Sequence, residues 1–199
     1  MVKLINYIFG KGIFQISKGI LYLSPDIKYK FTTIKNSIQK FNYNNELPGN
    51  LIKSIIQIED KRFFEHYGID LYSIFRAIYK NTTTNRIEGA STIVQQLVRN
   101  ILNDRKIEFK RKLVEIILAS LIDNEFCKKE ILTTYLNTYK FDNDIGIISL
   151  CKTYSYDLNQ LTIYESAQIA ARLKYPKISK INYIRYLKRV RIIELKNIA

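Results

Sequence analysis

Apolar positions recur at helical spacing through most of the chain. Ile52, Ile55 and Ile56 fall at i, i+3 and i+4 of one stripe, which predicts a helix running to about Phe64. Gly68 breaks that pattern, and Asp70 is placed to N-cap a second helix whose inward positions are Leu71, Ile74, Phe75 and Ile78. Asn81 to Asn85, with three threonines, reads as a loop. Gly89-Ala90-Ser91-Thr92 then opens a third helix, with Thr92 and Gln95 at capping-box spacing. A long helix is expected over about 108–124. Another follows over 128–139, with Ile131, Leu132, Tyr135 and Leu136 inward. Asp142 to Gly146 is a turn. Thr162 and Glu165 form a second capping box ahead of a helix ending near Tyr175-Pro176. From Ile181 the tail alternates basic and apolar residues as one more helix. There are short extended pieces only, and neither repeats nor heptads. The expected fold is mainly α.

The N-terminus carries its own signal. Leu4 to Leu23 is long enough to span a bilayer, but Lys11 and Lys18 share one helix face within it. Ile5, Ile8, Phe9, Ile13, Ile16 and Ile20 form an opposing apolar stripe, which fits an amphipathic helix in a membrane interface at least as well as a span. A surface helix packed on the domain is the third reading. No small-residue cleavage site follows, so a cleaved signal peptide is not expected. Residues 1–24 are therefore read as a membrane-anchoring or interfacial helix. Residues 25–50 are read as a polar connector ending at the Pro48-Gly49 turn, and 51–199 as the working domain.

Composition narrows the partners. The 199 residues are 47% hydrophobic, enough for a real core. The formal net charge of +14 calls for an anionic partner: nucleic acid, a phosphate-bearing lipid or an anionic membrane surface. No nucleic-acid-binding motif is present, so nucleic acid is set aside. Cys127 and Cys151 lack metal spacing and would pair only in an oxidising compartment. A single histidine excludes a His-rich metal site.

Two carboxylates sit where apolar residues are expected. Glu59 occupies i+7 of the Ile52 stripe, so it is aimed along the face that should be buried. That makes it a candidate general base or acid, or else a helix-terminal Glu turned out to water. Glu115 has apolar neighbours on both sides, with Arg111 at i−4 and Lys112 at i−3 on the same face. Half-buried acids, one with attached cations, suit chemistry on a sugar joined to an anionic leaving group.

The spacing of these residues resembles a known family. Glu59-Asp60-x-x-Phe63-x-x-His66-x-Gly68 looks like the first motif of the peptidoglycan glycosyltransferases, the transglycosylase domains of penicillin-binding proteins and their monofunctional relatives. Gly89 to Asn100 resembles the second motif, Arg111-Lys112-x-x-Glu115 the third, and Lys129-x-Ile131-Leu132-x-x-Tyr135-Leu136-Asn137 the fourth. Leu161-Thr162-x-x-Glu165-x-Ala167 resembles the family's tail helix. All occur in family order, and the short length resembles the monofunctional form.

The resemblance implies a lysozyme-like helical domain that polymerises lipid II. The acceptor 4-hydroxyl would attack C1 of the donor chain, releasing undecaprenyl pyrophosphate with inversion. Glu59 matches the proposed base and Glu115 the second glutamate beside the donor pyrophosphate. Asp60, Phe63, Arg76, Ser91, Thr92, Gln95, Gln96, Arg99, Arg111 and Lys112 match substrate-binding positions. His66, Gly68, Asn137 and Glu165 match structural ones. A divalent cation, Mg or Mn, comes with the resemblance as a candidate cofactor, although no metal site is legible. The implied partners are lipid II, the growing glycan, the cytoplasmic membrane and other cell-wall synthesis proteins. The implied location is the outer face of the bacterial cytoplasmic membrane.

Some positions depart from the family pattern. Val94 replaces a hydroxyl residue, Arg99 replaces a Lys, Ile107 stands for a basic residue, Asp142 lies in a shortened turn, and Ile148 stands where Glu is common. Two rivals follow: a catalytically weakened module that binds lipid II or wall enzymes, and a lytic muramidase, since paired carboxylates also serve glycosidases. The cations at Arg99, Arg111 and Lys112 disfavour the muramidase, which has no anionic leaving group to hold.

Overall fold

The computed structural model describes residues 2–41, 47–84, 88–103 and 109–198. The chain forms two compact units, 1–42 with 62–135 and 43–61 with 136–199. Both are helical. Their described strands are the two-residue pieces β1 (Lys140–Phe141) and β2 (Asp144–Ile145), an antiparallel hairpin turned at Asp142.

The first unit contains α1 (Val2–Leu23), α2 (Pro25–Gln39), α4 (Leu71–Thr83), α5 (Ile93–Leu102) and α6 (Phe109–Glu125). Helix α7 (Lys128–Thr138) begins in it. The second unit contains α3 (Gly49–Glu59), α8 (Gly146–Thr153), α9 (Ile163–Lys174) and α10 (Tyr183–Ile198).

Most boundaries follow local chemistry. Asp70 accepts from the Ser73 N–H at 3.2 Å and starts α4. Both capping boxes form, Thr92 with Gln95 and Thr162 with Glu165. Ile131, Leu132, Tyr135 and Leu136 are all buried, as their spacing predicts.

Several stretches differ from the sequence reading. Helix α3 stops at Glu59 rather than near Phe64, and α8 falls where no helix is predicted. The presumed connector holds α2, because Ser24 caps it, Pro25 starts it, and Ile27, Ile34 and Ile38 supply a buried face against the first unit. The threonine loop is partly helical. Helix α4 runs on to Thr83, its last turn closed by the Thr84 N–H on the Lys80 carbonyl at 2.8 Å, and Thr82 and Thr83 turn their hydroxyls back to the carbonyls of Ile78 and Tyr79, at 3.0 and 2.7 Å. On α4 itself Ala77 is buried, whereas Phe75 (65% exposed) and Ile78 face outward. Of the expected loop, Asn85 lies outside the described residues, as do Arg105, Lys106, Ile107 and Glu108.

Helix α1 packs against α2, α4 and α6 through its small and polar face. Asn6, Gly10 and Ser17 are buried, while Ile8 and Ile16 are 62% and 65% exposed. Asn6 donates to Asp70 at 3.3 Å and accepts from the Leu71 N–H at 3.1 Å, which pins α1 to the start of α4. A Cβ on Gly10 would come within 2.9 Å of Tyr67, so glycine permits the close approach. Among the described residues no helix is long and apolar enough to cross a membrane.

Candidate active site

The first unit gathers charge around one carboxylate. Glu115, 2% exposed, stands on α6 between three cations. Arg99 of α5 forms a fork on it, with Nε donating to Oε1 at 2.8 Å and Nη2 to Oε2 at 3.3 Å. Arg111 Nη1 also donates to Oε1, and Lys112 Nζ donates to Oε2 at 3.3 Å. The i−4 and i−3 spacing places the last two on the acid's own helix face. The tertiary contact between α5 and α6 brings the first.

Ser91 and Gln95 join the cluster. Lys112 Nζ donates to Ser91 Oγ at 3.1 Å and to Gln95 Oε1 at 3.0 Å, and Arg99 Nη2 reaches Ser91 Oγ at 3.4 Å. Burial pushes the Lys112 ammonium below the ordinary lysine range. Glu115 works against that shift, and the neighbouring Arg99 and Arg111 reinforce it. Three cations share one acid, so the cluster carries surplus positive charge suited to a polyanion. A cavity of about 570 Å³ opens beside it, bordered by Asp26, Tyr29 and Lys30 of α2, Val98 and Arg99 of α5, and Lys110, Arg111 and Glu115 of α6. The residues from α2 carry no motif signal, having been read as connector.

The loop after α3 is held from below. Phe63 is fully buried beneath Lys128, whose Nζ lies 4.6 Å from the ring centroid. Lys128 donates to both Asp123 oxygens at 2.7 and 2.8 Å and to the His66 carbonyl at 2.9 Å. Burial pushes the Asp123 carboxyl up, and Lys128, His66 and the Gly68 N–H oppose it. Thr92 Oγ1 donates to the Gly68 carbonyl at 2.7 Å, tying the loop to the start of α5.

Gly68 has φ +76°, and a Cβ there would stand 2.5 Å from the Ala119 carbonyl oxygen. Gly68→Ala is therefore expected to destabilise the fold by about 2–4 kcal/mol, read from the denaturation midpoint.

Glu59 is the last residue of α3, in the second unit. Its side chain is 2% exposed, as the stripe predicts, and Lys174 Nζ donates to its Oε2 at 3.2 Å. Lys174 has no motif signal; it lies 115 residues away in sequence. Asp60, buried, is the C-cap of α3, with its N–H bonded to the Ile56 carbonyl.

Other expected site residues take different places. Phe63, Thr92 and Gln95 are buried, so in this structure they support the site through the groups they hold. Gln96 accepts from the buried Tyr135 hydroxyl at 3.0 Å. Arg76 lies 3.5 Å from Glu88, which also pairs with Lys80, and is not among the partners of Glu115. The Asn137 carbonyl backs onto Gly146 (φ +81°), where a Cβ would meet it at 2.6 Å. Glu165 completes the α9 cap. Val94 is buried and Ile148 exposed. Cys127 and Cys151 are free thiols, and burial raises Cys151 to about 11. Among the described residues no cluster of His, Cys, Asp and Glu fits a divalent cation, and Glu115 is already engaged by three cations.

Known proteins are similar to this chain in sequence. A family described as Transglycosylase matches residues 28–197. Penicillin-binding protein 1A of Rickettsia typhi is 40% identical over 185 residues, 86% of this chain and 24% of that protein. Penicillin-binding protein 1A of Clostridium perfringens is 34% identical over 167 residues, 77% of this chain and 25% of its own. Penicillin-binding protein 1F of Bacillus subtilis is 37% identical over 135 residues, 66% of this chain and 19% of its own. The chain spans about a quarter or less of the length of these relatives.

Proposed function

The chain belongs to the transglycosylase family, and from that we propose that it is a peptidoglycan glycosyltransferase that polymerises lipid II. The observation that carries the reading is the buried Glu115 with Arg99, Arg111 and Lys112 around it, beside a cavity large enough for a ligand. A lipid-linked sugar leaves as a pyrophosphate, which is already a good leaving group. The protein needs chiefly to hold the anion and to place the nucleophile. Glu59 takes the proton from the acceptor 4-hydroxyl as that oxygen attacks the anomeric carbon. The C1–O bond breaks, and its electron pair departs with the pyrophosphate. Arg99, Arg111 and Lys112 stabilise that developing charge, and Glu115 keeps them gathered. No step is routed through a divalent cation.

The test is incubation of the purified chain with labelled lipid II in detergent, followed by gel separation. Glycan polymer is expected. Lipid II binding without polymer would favour a binding module, and shortening of purified glycan would favour a muramidase.

The substrate is lipid-borne, and the first unit offers a surface for lipid. Leu4, Ile5, Ile8 and Ile16 of α1, Phe64, and Tyr72, Phe75 and Ile78 of α4 are all exposed. We place α1 in the interface of the cytoplasmic membrane, on its outer face, where lipid II is used. Replacing Ile8 and Ile16 by Lys should weaken binding to phospholipid vesicles at least about tenfold per position, measured by co-sedimentation. Unchanged binding would remove α1 from the membrane contact.

A further inference from the structure

We propose that Lys174 is a positioning residue that sets the geometry of the Glu59 carboxylate. The inference rests on Glu59 being the base, as argued above. No motif of the family resemblance includes Lys174.

Helices α3 and α9 pack together and run in the same direction. At their starts, Asn50 of α3 donates to the Leu161 carbonyl ahead of α9, at 3.4 Å. At their ends, Glu59 and Lys174 are the last residues of their helices, and the ammonium donates to the carboxylate at 3.2 Å. A helix C-terminus carries the negative pole of the backbone dipole, so it disfavours a carboxylate and favours a cation. Glu59 thus stands in a poor place for its charge, and Lys174 in a good one. Pro176 follows and stops α9 from continuing, which fixes Lys174 in the last turn.

The backbone under Glu59 is already secured by α10. Lys53 donates to the Asn197 carbonyl at 2.9 Å, Asn197 Nδ2 donates to Ser54 Oγ at 2.6 Å, and Gln57 donates to the Lys196 carbonyl at 3.3 Å. The Lys174 bond adds a restraint on the Glu59 side chain itself. A bond to Oε2 fixes the plane of the carboxylate. A base works only if its oxygen comes within about 2.6–3.2 Å of the proton it removes.

The exposures separate a positioning role from a stabilising one. Lys174 is 46% exposed and Glu59 2%. An ion pair with so solvated a partner contributes little to stability. Loss of Lys174 leaves the buried Glu59 carboxylate without this cation, so a small fall in the thermal midpoint should accompany a much larger loss of rate.

The experiment uses the 199-residue chain with labelled lipid II and compares Lys174→Met, Lys174→Arg, Glu59→Gln and the Glu59→Gln/Lys174→Met double variant. Lys174→Met is expected to lower kcat about ten- to a hundredfold with KM nearly unchanged and the thermal midpoint still well above the assay temperature. Lys174→Arg should recover most of the rate. In the Glu59→Gln background the second change should cost nothing further. A wild-type kcat for Lys174→Met beside an inactive Glu59→Gln overturns the role of Lys174 alone. A loss confined to KM, or to thermal stability, also overturns it. Wild-type activity in Glu59→Gln sinks the base assignment itself.

Discussion

Glu59→Gln is expected to abolish glycan polymerisation, lowering the rate by about three orders of magnitude, while lipid II binding persists. The substitution keeps the shape and one carbonyl oxygen, so the packing of α3 on α9 and α10 is retained. It removes the basicity. General base catalysis contributes about 10²–10⁴-fold. Fold integrity is checked by the thermal midpoint, which should move little because the lost partner, Lys174, is half solvated. Polymer formation at wild-type rates would remove Glu59 from the chemistry and leave it a helix-terminal acid.

Glu115→Gln is expected to damage both activity and fold. The carboxylate is 2% exposed and holds Arg99, Arg111 and Lys112. Taking away its charge leaves three cations crowded on one another. Breaking a buried ion pair from one side costs about 3–5 kcal/mol; these cations keep part of their hydration, so a loss of about 1–3 kcal/mol is expected. Lys112 feels the change twice. Burial already pushes its ammonium down, and Glu115 is the group that held it up. Inorganic pyrophosphate should then raise the thermal midpoint of the variant more than that of the wild type, because the added anion takes the place of the missing charge. No shift in either protein would show that the cluster does not receive pyrophosphate.

Expectations that rested on a charge partner or a cap partner within one turn held. Arg111 and Lys112 reach Glu115 because three- and four-residue spacings share a face. Thr92 with Gln95 and Thr162 with Glu165 close their capping boxes because both partners lie within one turn. Glu59 points into the buried side of α3 because it continues the stripe through Ile55.

Where the outcome depended on what covers a face, the sequence was silent or misleading. Hydropathy showed a stripe on α1 and another on α4 but not which side packs. Asn6, Gly10 and Ser17 admit close helix approach and are buried, whereas Phe75 and Ile78 are left outward. The fork from Arg99 to Glu115 joins two helices, and the bond from Lys174 to Glu59 joins residues 115 apart. The sequence by itself determined the helices that carry the motifs, the two capping boxes and the residues that carry charge. The tertiary structure decided which apolar faces meet solvent and which cations meet which acids. Periodicity and capping act within a turn or two, whereas those pairings arise only when separate helices pack.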